Sequence, residues 1–414
     1  MSTMFGRSLF GHLIYAGPDQ GGAGSIDTSV PDFYPGQFTV IAYNKSGTKT
    51  AYFGSGAEHN ALSKVTFEIG ETGCGNVELT FHELPSNAEL DYMQRIDIHL
   101  FGDRSPWYSG YIINRPVKGT TDTTYTFKGY GYYNQLSSYL IFKTYENMDP
   151  GDIVRDIAVE AEKHLDIVFN DIKIEKAGYT CTKIVFDGVT IKDALKTLSE
   201  FATDFVYGVD ERRNIYFKPR VKEINEQARL TVGKHITSYS PTWNVDKVVN
   251  WVRTKGGNVD DQGEQWLCVA KDDASIQKYG YRMKVLSLPS AYAVADAQRY
   301  SDNYIAQYKD PIKSATVKGV SLEYPLVDGS FNVRHMTTEG MAEIRTLSGD
   351  VHDYPITKLK YTVSPDKGIS CDMTLGEPPL PWTSTWPEWS GTPRTWNRPR
   401  PRLSNSCTSK EVRA

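Results

Sequence analysis

Cysteine is scarce and dispersed in this chain of 414 residues: five, at positions 74, 181, 268, 371 and 407, each far from the next. An odd number at such spacing supplies neither a disulfide framework nor a Cys-x-x-Cys metal pair, so the thiols read as ordinary reduced cysteines, mostly in cores. Long apolar runs are missing as well. None approaches the roughly 18 residues needed to cross a bilayer, so no membrane-spanning segment is expected. The opening MSTMFGRSLFGHLIYAG offers only Arg7 as a charged n-region and no small-residue cleavage site, and does not read as a signal peptide. An excess of either charge is lacking too. Forty-six Lys and Arg face fifty Asp and Glu, a net charge of −4, without the basic footprint of a dedicated nucleic-acid binder.

Patterns that carry chemistry are equally sparse. There is no G-x-S-x-G elbow, no H-E-x-x-H, no G-x-x-x-x-G-K-[ST] and no G-x-G-x-x-G opening a helix after a strand. Gly233-Lys234 resembles the end of a phosphate loop, but the glycine five residues earlier is absent and His235 stands where Ser or Thr belongs. The eight histidines are scattered, with none paired at metal spacing. His82 and His99 read as solvated or core-edge strand residues, and Asp272-Asp273 and Glu211-Arg212-Arg213 as solvated charge in loops or turns. Glycosidase chemistry needs two converging carboxylates, and no local pattern nominates a pair. The residues therefore name no catalytic group, no metal ligand and no cofactor.

What is abundant is aromatic: 12% of the chain, with 26 tyrosines, which suit half-wet β-surfaces and interfaces. Period-2 alternation begins at Phe38. FTVIAY (38–43) and TAYFGS (50–55) flank a turn tetrad at 44–47, and KVTFEIG, NVELTFHEL, RIDIHLFG, WYSGYIINR and TTYTFKGYGYY follow, an antiparallel barrel or sandwich. The Tyr-rich strand YTFKGYGYY reads as barrel core and subunit interface, with a sugar-stacking platform as the other reading. The pattern then turns helical. Asp149 caps a helix with Pro150 at its first position and an apolar stripe of Ile153, Ile157, Ala161 and Leu165. Thr190 with Asp193 opens a second helix, and FVYGVDERRNIYFKPR (205–220) is a hairpin turning at 210–214. A second β-rich region follows, with strands at 247–257, 281–287, 313–322, 340–348, 355–363 and 368–377. Ser290 caps one helix there, whose face carries Ala293, Ala297, Tyr300, Tyr304 and Tyr308.

The reading is mainly β with an α+β insertion: two tube-like antiparallel β-barrel domains plus a smaller α/β module. Its parts are an N-terminal arm (1–36), a first barrel (37–145), the module (146–225), a second barrel (226–377) and a Pro/Trp-rich tail (378–414). That tail holds seven prolines and four tryptophans, Trp382, Trp386, Trp389 and Trp396. Proline at this density favours extended, polyproline-like chain, and the tryptophans are candidate partner-docking residues.

The order of these pieces resembles the baseplate or tail-tip hub proteins of long-tailed bacteriophages. GNVELTFHELPSN followed by QRIDIHLFGDRSPWYSGYIINRPVKG is similar to that family's first β-domain. YTFKGYGYYNQLSSYLI leading into DPGDIVRDIAVEAEKH is similar to its passage into the inserted module, and DGVTIKDALKTLSEFATDFVYGVDERRNIYFKPR to the module itself. YPITKLKYTVSPDKGISCDMTLGEPP resembles the end of the second barrel, so the likeness spans residues 37 to 378. It implies a structural, non-enzymatic virion protein at the phage tail tip, assembled in the host cytoplasm. In such a homotrimer each chain supplies two tube-like domains, matching a hexameric tail tube above to a three-fold tip below. Implied partners are the tail tube or distal tail ring protein, the tape-measure protein and a tip, spike or fibre protein, with DNA only in transit through the lumen. The chain carries no appended lysozyme, peptidase or long fibre domain, so a separate protein is expected to close the tip. The rival readings are a carbohydrate-binding adsorption protein and a cell-wall hydrolase; a contractile secretion system or gene-transfer particle would use the same architecture.

Overall fold

Residues 38–54 close into the hairpin that their alternation predicts. Strands β1 (Phe38–Tyr43) and β2 (Lys49–Gly54) pair antiparallel, across a turn in which the Asn44 side-chain oxygen Oδ1 accepts from the backbone N–H groups of Ser46 and Thr48. The computed structural model describes residues 37–55, 61–119, 123–202, 204–258, 265–325, 331–364 and 368–376. The N-terminal arm and the Pro/Trp-rich tail named above lie outside the described residues.

After this hairpin come β3 (Leu62–Gly70), β4 (Gly73–Phe81), β5 (Arg95–Leu100), β6 (Tyr108–Asn114) and β7 (Tyr125–Gly131). Along β4 the residues Val77, Leu79 and Phe81 are buried while Glu78 is exposed, the two-residue period of a strand with one face in a core. The stretch from Leu140 to Pro219, which includes most of the α/β module expected at 146–225 and is called the inserted region below, holds β8 (Leu140–Met148), α1 (Pro150–His164), β9 (Cys181–Thr190), α2 (Ile191–Phe201), β10 (Phe205–Val209) and β11 (Ile215–Pro219). Both helix starts are capped as their sequences predict. The Asp149 carboxylate accepts from the Gly151 N–H at 2.8 Å and the Thr190 hydroxyl from the Asp193 N–H at 3.1 Å. Leu165 falls just past α1 as its C-cap.

Then follow β12 (Ile224–Thr231), β13 (Ser238–Asn244), β14 (Trp251–Asn258), β15 (Gln265–Lys271), α3 (Asp273–Tyr279), β16 (Met283–Leu288) and α4 (Val294–Tyr308). The chain finishes with β17 (Ile312–Ser321), β18 (Glu323–Pro325), β19 (Phe331–Val333), β20 (Met341–Arg345), β21 (Val351–Ser364) and β22 (Gly368–Leu375). Three of the differences from expectation have a visible cause in hydrogen bonding. The strand expected from residue 247 starts at Trp251, because the buried Asn250 spends its side chain on the Gly280 carbonyl and the Arg282 N–H. The helix expected at Ser290 starts at Val294, because the Ser290 carbonyl accepts from Val185 and Ala291 bridges Ile184 of β9. Asp272, read as a solvated loop residue, instead caps α3 by accepting from the Ser275 N–H.

Pairing runs through one sheet in the order β13-β17-β22-β21-β3-β4-β7-β6-β5-β1-β2. β20 extends from β21, β12 lies parallel on β20, and the β10–β11 hairpin touches β4. The weld between the early and late strands is β3 on β21, antiparallel from Lys358 opposite Gly70 to Val363 opposite Val65. One apolar cluster continues beneath it, from Phe38 and Phe67 to Tyr361 and Leu375. A separate sheet places β14 between β15 and a parallel β16, with α4 packed on the face that buries Val252, Thr254 and Leu286.

Candidate functional site

Three stretches of chain meet at a joint. The tight β3–β4 turn at 70–73 lies against the β10–β11 hairpin and against the run 335–340 that precedes β20, around a cleft of about 480 Å³. Val209 N–H donates to the Thr72 carbonyl at 3.2 Å, and the Tyr216 hydroxyl to the Glu71 carbonyl at 2.5 Å. Gly73, at φ +97°, allows this approach: a Cβ there would collide with the Val209 carbonyl. Ion pairs reinforce the contact. Arg220 binds both Glu71 and, at 3.0 Å, Asp204, while Lys218 reaches across to Glu339. On the far side Thr338 donates to the Gly70 carbonyl at 3.3 Å and Met341 to the Glu223 carbonyl at 2.9 Å.

The same cleft contains a thiol, Cys74, and an imidazole, His335. Burial pushes the Cys74 thiol up to about 12, so it stays protonated at neutral pH. Burial lowers the pKa of His335, opposed by the nearby Asp103 and Glu211 carboxylates. Its ring stacks on Trp107 at 4.2 Å and 13°. Across its walls Lys173 pairs with Asp210, Arg220 with Glu71 and Lys218 with Glu339, an arrangement that fastens the segments together. Among the described residues no group of three or more His, Cys, Asp or Glu is placed to hold a metal ion.

A second joint ties α4 to the inserted region. Asp296, fully buried in the first turn of α4, accepts from the Tyr179 hydroxyl at 2.5 Å and from the Thr182 N–H at 3.1 Å. Arg299, one turn on, lies over the Tyr179 ring at 4.1 Å and donates to the Phe201 carbonyl.

The outer surface offers edges and apolar faces. β13 borders the long sheet with β17 as its neighbour and exposes most of its side chains, Trp243 by 62% with Lys313 against the ring. At the other end of the pairing path stands β2. The face of the β15-β14-β16 sheet turned away from α4 exposes Val269, Met283 and Val285 beside Arg253 and Lys255. Sequence reasoning passed over this face, although the alternation of Arg253 and Lys255 with buried Val252 and Thr254 carries its signal.

The sequence candidates fall as follows. Trp382, Trp386, Trp389 and Trp396 lie outside the described residues. Of the rings of YTFKGYGYY, Tyr125, Phe127 and Tyr132 are buried, Tyr130 is half-buried on the face of β7 that carries Lys128, and Tyr133 meets Tyr207 of the β10–β11 hairpin at 6.2 Å. His82 is exposed, and His99 is core-edge with Nδ1 3.0 Å from the Asp103 carbonyl. His235 is committed to its own turn, its Nδ1 accepting from Thr231. No two of these histidines come together.

Such a molecule is built mainly of β-sheet, with joints that fix one part against another and, among the described residues, β13 and β2 at the two ends of the main pairing path. The chain belongs to the YQBQ-like family, whose sequence model matches residues 58–345, more than half of its length. No curated protein matches it. Among solved structures it is similar to the 43 kDa tail protein of prophage MuSo2 from Shewanella oneidensis, with a TM-score of 0.56 and 13% identity over 82% of this chain and 98% of that one. It is similar also to the tail protein from Neisseria meningitidis MC58, with a TM-score of 0.55 and 12% identity over 83% and 97%. A third is prophage tail protein gp18 from Listeria monocytogenes EGD-e, with a TM-score of 0.52 and 12% identity over 82% and 94%. The chain thus shares the fold of phage tail proteins, the family its sequence resembles.

Proposed function

We propose that this chain is a structural, non-enzymatic tail protein: a homotrimeric hub that joins a hexameric tail tube to a three-fold tip and lines the channel for genome ejection. The observation that carries the reading is that nearly the whole of three tail proteins, 94% or more of each, is matched by this one fold. The continuous sheet adds support. Its path begins at β13 and finishes at β2, so copies arranged head to tail have edges to offer one another, as a closed ring requires. In this proposal residues 37–145 and 226–377 are the two tube-like domains, and 146–225 is the module packed outside them. Partners are the tail tube or distal ring protein, the tape-measure protein and a tip, spike or fibre protein docked by Trp382, Trp386, Trp389 and Trp396. DNA passes in transit, and the place of action is the virion tail tip after assembly in the host cytoplasm.

Light scattering of the purified chain, with and without residues 378–414, tests this. A mass near three times 46.5 kDa, kept when the tail segment is removed, is expected. A monomer at every concentration, or hydrolysis of purified cell wall by the chain, would overturn the proposal.

A further inference from the structure

The seam between α2 and α4 encloses a carboxyl group among phenols. Glu200, half-buried in the last turn of α2, has its Oε1 shut away from solvent with no hydrogen-bond partner among the described residues. From its own helix Lys196 and Ser199 lie nearby. β10 contributes Tyr207, with Tyr133 behind it, and α4 contributes Tyr300, Tyr304 and Tyr308, of which the buried Tyr308 hydroxyl also lacks a partner among the described residues. Beyond these, Arg220 lies near Tyr308 but is bound to Glu71 and Asp204, and Lys284 of β16 donates to the Tyr304 hydroxyl at 2.8 Å. The seam is also where the two helices are stitched: Arg299 donates to the Phe201 carbonyl at 3.0 Å and Asn303 to the Glu200 carbonyl at 3.4 Å.

We infer that this seam is a proton-operated clasp: protonated Glu200 lets α2 rest against α4, and its ionisation loosens α2, and the inserted region with it, from α4. An enclosed carboxylate loses its hydration. Burial pushes this carboxyl up to about 8, outweighing the opposite pulls of Lys196 and the Tyr300 hydroxyl. The sign follows from linkage. The closed state keeps a proton that the open state releases, so the clasp is tightest below the ordinary carboxylate range. It weakens as pH rises from there to about 8 and levels off above. Within that window each pH unit shifts the closed-to-open ratio roughly tenfold.

Hydrogen exchange of the α2 amides in the full chain, followed from about pH 5 to 9 and corrected for intrinsic base catalysis, tests the clasp. In the native chain the opening constant should climb about tenfold per pH unit and flatten near 8, with β4 amides unmoved. Glu200→Gln should abolish that slope, and Tyr308→Phe, which removes a hydroxyl but no charge, should keep it. Carboxyl carbon-13 NMR of the native chain gives an answer independent of any variant, with a Glu200 midpoint near 8 expected. A midpoint in the ordinary carboxylate range, or the same slope in Glu200→Gln, overturns the inference.

Discussion

Truncating Phe67 to alanine probes the weld between the early and late strands. Phe67 is fully buried on β3, directly opposite Tyr361 of β21, with the rings stacked 4.9 Å apart at 18° and Tyr108 tilted against the other side at 5.5 Å. Loss of a buried phenylalanine side chain costs about 3–5 kcal/mol, of which the aromatic pairing accounts for about 0.5–1.5 kcal/mol beyond area burial. Tyr361→Phe isolates a different contribution. It keeps the ring and removes the hydroxyl that donates to the Met336 carbonyl at 2.9 Å, for about 1–3 kcal/mol. A double-mutant cycle of Phe67→Ala with Tyr361→Ala should return a coupling of about 0.5–3 kcal/mol. The assay is urea unfolding read by hydrogen exchange strand by strand. Because the apolar cluster is continuous across β3 and β21, protection in β17 and β22 should fall together with that in β4 and β7. Two separate transitions, with β17 and β22 unmoved by Phe67→Ala, would mean that the early and late strands do not unfold as one cooperative unit.

Three further outcomes are expected. Gly73→Ala places a Cβ against the Val209 carbonyl at φ +97°, so it should cost about 1–3 kcal/mol and raise amide exchange in β10 before it does so in β1; an unchanged melting curve would contradict the joint. Asp296→Asn keeps one acceptor oxygen and should lose about 1–3 kcal/mol through its contacts with Tyr179 and Thr182, with Asp296→Ala losing more in the same thermal melts. Cys74, Cys181, Cys268 and Cys371 are buried, and burial raises the first, second and fourth thiols. A neutral-pH alkylating reagent should therefore modify none of these four in the folded chain, as mass spectrometry would show, and rapid labelling of any of them would contradict the packing.

Local structure was legible because it is written in neighbouring residues. The Asn44 turn, the Asp149 and Thr190 caps and the hairpin closing at 210–214 all stand where composition and period place them. Helix α4 was legible in its stripe, with Ala297, Tyr300, Tyr304 and Tyr308 buried, but not in its start. That boundary is decided by a bond from Val185, about a hundred residues earlier. The joints were illegible for the same reason. Glu71 is an unremarkable turn residue until Arg220 and Tyr216 arrive, and Asp296 looks like an ordinary first-turn acid until Tyr179 covers it. Glu200 lies off the apolar stripe of α2, and its Oε1 is covered by neighbours that β10 and α4 bring from elsewhere in the chain. Pairing of β3 with β21, nearly three hundred residues apart, leaves no local mark on either strand.

In the proposed assembly, copies of this chain close into a ring that forms part of a tail channel. Cryo-electron microscopy of the purified full-length chain would show it. Three copies around an open bore are expected, with the two β-regions of each chain alternating around the wall and residues 146–225 on the outside. Particles built of one or two copies, without a through channel, would contradict it.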